Sequence, residues 1–362
     1  METLCRMESR ELLMHRTAIG FNSFLGSFCR CVFRVDPPPG FGVRFSVIIE
    51  IMQLTRSWIK WAASANLLAA ACALYAADPA IISIPSKNLF PESITSTADG
   101  AIIIGSYGTS TIWRIPPGEN NAAKWIDASN SKGALLGVLA DEKSGRLLVC
   151  QAGVKTFDLK TGAANEELTI PTANPFCNDL AVRPSSDNTG SLFVTDTTGA
   201  KIFMFAKGAA TPFVTTAVEV ASDPLLAGAD GLAFLSDPDK LYVNTVTTSK
   251  LLRLDLAKDG KVTKITELKL SRPLQGPDGM RAIDGKRLII AEGSGRTAMG
   301  IPNGDSVEIT TLKEGGMEGG TPAVTVTKGM GWTMEGKLRQ RDAKNPDADK
   351  GPFRLFPVPL PK

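Results

Sequence analysis

The feature that most constrains this chain is a pattern that recurs six times after residue 80. Each copy has a polar or acidic residue, a short apolar segment, a turn with Gly or Asp, a second apolar segment, a Gly/Ser/Thr turn and a third apolar segment. The clearest copies begin PESITSTADG, CNDLAVRPSS, ADGLAFLSDP and PDGMRAIDGK, and the weaker ones begin GVLADEKSG and PAVTVTKGM. Their predicted inner strands start about every 40 to 50 residues, at Glu92, Gly137, Asn178, Asp230, Asp278 and Pro322.

A period of this length, with three or four short strands per copy, is typical of propeller blades. One such sheet cannot cover both of its apolar faces, whereas sheets arranged radially bury each face against the next blade. We therefore predict an all-β fold, a six-bladed β-propeller of four-stranded antiparallel blades over residues 78–362. Segments 80–84 and 353–360 lie at its two ends, where one of them can complete the last blade. A β-sandwich is the alternative, but it would not repeat at this spacing.

Composition excludes several classes of function. The net charge is +3 and 21% of residues are charged, so the chain has no strong electrostatic bias and no nucleic-acid partner is predicted. The single histidine, His15, lies outside the repeats. A Ser-His-Asp triad, a Cys-His pair, a His-ligated zinc site and a histidine general base are therefore excluded from the propeller.

The first 77 residues are interpreted as two segments outside the repeats. Residues 1–51 show no helical or strand periodicity, and we treat them as an upstream or disordered segment in which no bilayer span fits. From Met52, a basic start, an Ala/Leu-rich run and small residues before position 78 are typical of a secretory signal peptide over 52–77. The prediction is export to the periplasm or the extracellular space, with no transmembrane span. A buried N-terminal helix and lipoprotein anchoring at Cys72 remain alternatives.

Two cysteines, Cys150 and Cys177, fall within the repeats. In an oxidising compartment they could pair. Since Cys150 ends an apolar run, we favour two separate thiols that act as small buried hydrophobic groups.

Residues at the same end of successive inner strands converge on the axis of a propeller. Four of the six predicted strand starts carry oxygen ligands, namely Glu92, Asn178, Asp230 and Asp278. Three carboxylates brought together would repel one another, and a divalent cation would remove that penalty. Oxygen ligands favour a hard ion, so we predict one divalent metal, with Ca²⁺ preferred over Zn²⁺ or Mn²⁺. The alternative is ordinary Asp-Gly turn chemistry, which is our interpretation of Asp99, Asp259 and Asp284.

The motifs at these strand starts resemble those of the senescence marker protein/gluconolactonase family, also called regucalcin-like. FPES is similar to the family's Glu-Ser-Pro ligand strand, FCND to Arg-Phe-Asn-Asp, ADGLAF to Asn-Gly-Leu-Asp-Trp, and PDGM to Pro-Asp-Gly-Met. The resemblance implies a six-bladed propeller with one catalytic divalent metal that hydrolyses sugar lactones or related esters. It implies that Glu92, Asn178 and Asp278 are metal ligands and that Asp278 is also the general base.

The chain departs from the family pattern at two positions. Asp230 replaces a ligand Asn, which keeps an oxygen donor but adds a negative charge. Phe176 occupies the position of an arginine that, in the family, can hold substrate oxygens. We place Phe176 at the substrate-binding site and expect either a less polar lactone or no substrate at all.

The leading hypothesis is a metal-dependent hydrolase that acts on a small-molecule lactone or ester, with Asp278 as its catalytic residue. The alternative is a non-catalytic propeller in which the ion stabilises the blades and the channel mouth binds a ligand or a protein.

Overall fold

The computed structural model describes residues 2–8, 28–35, 45–52, 80–130, 133–185, 190–209, 211–317, 319–341 and 351–361, in two units, Met1–Ala77 and Asp78–Lys362. In the first unit an antiparallel sheet contains strands β1 (Glu2–Glu8), β2 (Phe28–Val35) and β3 (Phe45–Met52). We did not anticipate these strands from the sequence, and the interpretation of 1–51 as an upstream segment stays a prediction. His15, Cys72 and the predicted signal peptide after Met52 lie outside the described residues.

The second unit is the predicted six-bladed β-propeller. Strand β4 (Ile82–Ile84) comes first in the chain. The first blade then contains β5 (Pro91–Ser96), β6 (Ile102–Ser106), β7 (Thr111–Ile115) and β8 (Ala123–Asp127). The second contains β9 (Val138–Asp141), β10 (Arg146–Cys150), β11 (Val154–Asp158) and β12 (Ala164–Leu168). The third contains β13 (Cys177–Val182), β14 (Leu192–Asp196), β15 (Lys201–Phe205) and β16 (Val218–Ser222).

The remaining blades follow the same antiparallel order. The fourth contains β17 (Ala229–Phe234), β18 (Lys240–Thr245), β19 (Lys250–Leu256) and β20 (Val262–Glu267). The fifth contains β22 (Pro277–Ala282), β23 (Leu288–Glu292), β24 (Arg296–Asn303) and β25 (Ser306–Glu314), and it gains a short fifth strand, β21 (Lys269–Leu270), parallel to β25. The sixth contains β26 (Val324–Thr327), β27 (Met330–Met334) and β28 (Phe353–Pro359).

The two ends of the propeller close the ring by pairing with each other. Strand β4 is the outermost strand of the sixth blade and pairs antiparallel with β28, with Ile84 opposite Phe353. Both end segments noted in the sequence therefore belong to the last blade.

The core lies between the blades. Among the described residues, six buried apolar clusters each join two neighbouring blades. The sixth and first blades share an extensive cluster around Phe90, Trp332 and Phe353, whereas the fifth and sixth share a small one around Ile289, Ala291 and Val324. Radial packing therefore buries both faces of each sheet, as the repeat period predicted.

Helix is scarce in this unit. The described part contains a 3₁₀ turn at Pro224–Leu226 and a single helical turn, α1 (Leu338–Arg341), between β27 and β28. Nowhere in the described ranges does a helix reach the length and apolarity needed to cross a membrane.

The cysteine interpretation is corrected by the structure. Cys150, at the end of β10, and Cys177, at the start of β13, form a disulfide with Cα atoms 5.2 Å apart. Both side chains are fully buried. The apolar sequence around Cys150 favours a buried thiol, but it does not show which residue packs against it. The packing of the second blade against the third brings Cys150 and Cys177 together.

Candidate functional site

Four inner strands carry a β-bulge at the same place, close to their first residue. The register shifts between Pro91 and Ser93 in β5, between Cys177 and Leu180 in β13, between Ala229 and Leu232 in β17, and between Pro277 and Met280 in β22. A bulge leaves a residue out of regular pairing and re-aims its side chain. The residues within these four bulges include Glu92, Asn178, Asp230 and Asp278.

The bulges bring the four predicted residues to one mouth of the channel. The Nδ2 group of Asn178 donates a hydrogen bond to Oδ2 of Asp230 at 2.8 Å. The Asp278 carboxyl group lies within hydrogen-bonding reach of Asp230, and this interaction raises the pKa of Asp278 and limits the rise of the Asp230 pKa. Glu92 lies close enough to Asp230 for their charges to interact, and all four line one small pocket. Glu92, Asn178 and Asp230 are buried, at 8%, 6% and 5% exposure, and Asp278 is partly exposed.

Burial and mutual repulsion raise the pKa values of the three carboxyl groups. Loss of solvent is the main cause for each of them. The pKa of Asp230 rises to about 7, and the nearby Asp179 charge adds to the effect of burial. The pKa values of Glu92 and Asp278 rise well above their usual range, with the Asp230 charge as the second cause in both. The cluster therefore retains protons at pH values where isolated carboxyl groups would be ionised.

An ion pair beside this cluster was missed in the sequence analysis. Arg281, in β22, donates to both carboxylate oxygens of Asp179, at 2.6 and 3.0 Å, and to the carbonyl oxygen of Val138 at 3.1 Å. It thereby connects the fifth blade to the third and second. Arg281 also lowers the pKa values of Glu92 and Asp230. The only sequence signal was the position of Asp179 directly after Asn178, in the same bulge.

The donor chemistry of the cluster fits a hard divalent cation. Its ligands would be three carboxylates and the amide oxygen of Asn178, as Ca²⁺ prefers. The pocket has a volume of about 10 Å³, close to that of one water-sized sphere. Among the described residues, however, no three His, Cys, Asp or Glu side chains are arranged to hold a metal. The structure brings the four residues together around one small pocket, and the assignment of metal ligands stays a prediction.

A much larger cavity lies beside the cluster. It has a volume of about 680 Å³ and is formed by the segments that flank the fifth and sixth blades. Asp278 lines both this cavity and the small pocket. Asp278 is therefore the cluster residue that borders a space large enough for a substrate.

Phe176, the predicted substrate-binding residue, lies just before β13 in the third blade. Its side chain is 36% exposed, and its backbone N–H donates to Oδ1 of Asp196 at 3.1 Å. The lining of the large cavity comes from other blades and does not include Phe176. A role in substrate binding stays a prediction for this residue.

Comparisons with known proteins identify the fold. No protein-family model and no curated protein matches the sequence. A gluconolactonase from Xanthomonas campestris is similar in structure, with a TM-score of 0.55, 16% identity, and coverage of 80% of this chain and 93% of that one. A luciferin-regenerating enzyme has a TM-score of 0.55, 14% identity, and coverage of 78% and 96%. Regucalcin of Agrobacterium tumefaciens, a calcium-binding protein, has a TM-score of 0.52, 16% identity, and coverage of 76% and 94%.

The shared feature is the six-bladed propeller. The resemblance to the regucalcin and gluconolactonase propellers is thus confirmed at the level of the fold. Sequence identities of 14–16% support the fold but not a shared function, because propellers of one architecture perform unrelated chemistry.

Proposed function

We propose that the chain is a divalent-metal-dependent hydrolase of a lactone or a related ester. The observation that carries the proposal is the place of Asp278, which lines both the buried carboxylate cluster and the 680 Å³ cavity. In this proposal Glu92, Asn178, Asp230 and Asp278 hold one ion. Ca²⁺ is favoured because every donor is a hard oxygen, with Zn²⁺ or Mn²⁺ as alternatives.

The side chains divide the chemistry of hydrolysis between them. A bound metal would supply a Lewis acid that polarises the carbonyl group of the ester. Asp278 takes a proton from the water that attacks the carbonyl carbon and returns it to the ring oxygen as the C–O bond breaks, which gives a hydroxy acid. Burial and the neighbouring Asp230 charge raise the pKa of Asp278 in the metal-free protein. A bound cation would favour its ionised form, which is the form that accepts the proton.

Metal restoration tests the proposal directly. The purified chain is stripped with a chelator, Ca²⁺, Zn²⁺ or Mn²⁺ is added back, and proton release is followed with a panel of lactones. Turnover should return with metal and fall by at least about 10³-fold in Asp278→Asn. Metal binding to that variant, measured by calorimetry, separates loss of the base from loss of the ion. The proposal fails if no lactone or ester is turned over in the presence of any of the three ions.

A non-catalytic binding propeller is the second candidate. It is favoured by the closed form of the cluster, in which groups from the first, third, fourth and fifth blades meet in only about 10 Å³. An ion there would hold four blades together. In that case added metal would raise the melting temperature while every lactone stayed intact.

We also propose that the propeller is exported. The Cys150–Cys177 disulfide supports this, since disulfides persist in oxidising compartments. N-terminal sequencing of protein recovered from the periplasm or the medium should begin near residue 78. A lipid-modified Cys72 would show instead that the protein is anchored as a lipoprotein.

A further inference from the structure

The large cavity has a chemical character of its own, separate from that of the carboxylate cluster. Its lining comes from the segments before β22, after β23, between β25 and β26, and from α1, with Val246 beyond β18. It therefore lies to one side of the channel axis, over the fifth and sixth blades. A ligand in the cavity would reach the cluster only at Asp278.

Glycine backbone creates much of the space. The N–H of Gly293 donates to the carbonyl oxygen of Gly276 at 2.7 Å, and a Cβ on Gly320 would approach the Gly293 oxygen to 2.4 Å. Side chains are therefore excluded where these segments pack together. A Cβ on Gly293 would meet only the Gly276 oxygen, at 3.3 Å. Glycine main chain therefore forms one part of the cavity wall.

A buried acidic residue fixes this wall. Glu292 is fully buried and forms ion pairs with Arg272 at 2.7 Å and Arg296 at 3.1 Å. It also accepts a hydrogen bond from the backbone N–H of Gln275 at 2.8 Å, which holds the segment that carries Gln275 and Gly276. Two arginines neutralise Glu292, so its charge does not repel an anion in the cavity.

Arg339 is the basic residue that lines the cavity. It lies on α1 with an exposed side chain, and no ion pair or hydrogen bond of its guanidinium group occurs within the described ranges. Apolar contacts are available from Val246, Met317, Pro322 and Leu338, beside the polar side chains of Gln275, Ser294 and Thr321. The cavity thus combines an arginine available for an anion with a partly apolar surface.

We propose that this cavity binds the part of the substrate remote from the reacting carbonyl, and that this part is a hydrocarbon body ending in a carboxylate recognised by Arg339. The inference rests on the proposed hydrolase function. Planar guanidinium groups pair with carboxylates through two parallel hydrogen bonds. A volume of about 680 Å³ accommodates a ligand of drug-like size, larger than a simple sugar lactone.

The test uses the full chain with Ca²⁺ and three γ-lactones whose side chains have equal length and end in a carboxylate, an amide or an ammonium group. The wild-type protein should prefer the carboxylate over the amide by about tenfold in kcat/KM. Arg339→Gln should bring that ratio close to one, and Arg339→Lys should retain part of it. The matched control is Lys160→Gln, which removes a charge from an exposed hairpin of the second blade and should keep the wild-type ratio.

A binding measurement separates this inference from the proposed reaction. Suberate, a linear dicarboxylate, is titrated into the wild-type chain and into Arg339→Gln by calorimetry. If suberate binds in an Arg339-dependent way while no lactone is hydrolysed, the cavity assignment holds and the reaction is wrong. If lactones are hydrolysed without a carboxylate preference, or Arg339→Gln changes neither the preference nor suberate binding, the cavity assignment is overturned.

Discussion

The carboxylate cluster and the cavity beside it are built in opposite ways. The cluster encloses about 10 Å³ between polar side chains that β-bulges direct inward. The cavity has a volume of about 680 Å³, and glycine main chain forms part of its wall. Asp278 belongs to both. The difference shows that charge and shape are controlled by separate parts of the propeller. Changes in the cluster should alter proton and metal binding for every substrate, and changes in the cavity should alter the choice among substrates.

The largest effect should appear in the pH dependence of stability of the metal-free protein. The pKa of Asp230 is about 7 in the folded state against 3.8 for the ordinary group, so the folded state binds more protons between these values. Stability contributed by protonation is complete below about pH 4 and is lost as pH rises through about 7. The loss should be on the order of 4 kcal/mol.

Urea unfolding in the presence of a chelator measures this loss. The decisive quantity is the difference between the wild type and Asp230→Asn, which cancels the contributions of surface carboxylates. In chelator, the free energy of unfolding of the wild type should fall relative to that of Asp230→Asn as pH rises, and this relative fall should be smaller with Ca²⁺ present. If the difference in free energy of unfolding does not vary with pH in chelator, ionisation of Asp230 does not destabilise the folded state.

Replacing Arg281, the basic residue of the Arg281–Asp179 pair, should have the next largest effect on stability. Asp179 is 4% exposed, so Arg281→Met leaves an unpaired buried carboxylate and should lower the free energy of unfolding by about 3 kcal/mol. Arg281→Lys should recover part of the loss. The control is Arg287→Met, which breaks a pair with the 43% exposed Asp284 side chain and should cost less than about 1 kcal/mol. Equal losses of unfolding free energy in Arg281→Met and Arg287→Met would contradict a special role for the Arg281–Asp179 pair.

Filling the cavity should have a smaller and more selective effect. Gly293 lies outside the left-handed region, and Gly293→Val places methyl groups in the cavity, so KM for a long-chain lactone should rise about tenfold. Gly285→Val is the control, because a Cβ there meets the Ser236 Cβ at a comparable 3.1 Å, beyond the opposite end of β22. If both variants raise KM alike, the cavity is not the binding site.

The smallest change is expected at Phe176. Phe176→Arg should improve kcat/KM for a polyhydroxylated lactone by about threefold, since a partly exposed charged group contributes under about 1 kcal/mol. Val214→Arg is the control, because Val214 lies in the same blade and is 37% exposed, close to the exposure of Phe176. A similar gain in both variants would reflect overall charge, and no gain at Phe176 would remove it from the site.

Much of the propeller could be predicted because each blade repeats a local pattern. Glu92, Asn178, Asp230 and Asp278 are each the second residue of an inner strand, so the predicted starts differ from the observed ones by a single residue. Strand β26 starts at Val324, two residues after the predicted Pro322, where the opening signal was weak.

Contacts between distant side chains were not predictable in the same way. The pairing of Arg281 with Asp179 crosses the channel, and that of Cys150 with Cys177 crosses a blade interface. Neither follows from strand periodicity, which specifies the face on which a side chain lies but not its partner across the fold. The cavity was missed for a related reason, because the glycines of its wall look like ordinary turn residues in sequence.

Ring closure by β4 also constrains how the propeller is made. Synthesis proceeds from the amino terminus, so β4 is complete long before its partner β28 leaves the ribosome. Until Phe353 and Leu355 emerge, Ile82 and Ile84 have no sheet to join, and the apolar side of the first blade stays uncovered. The first blade of the nascent chain therefore stays partly uncovered until the strands of the sixth blade are made, and chaperones can bind it throughout that time.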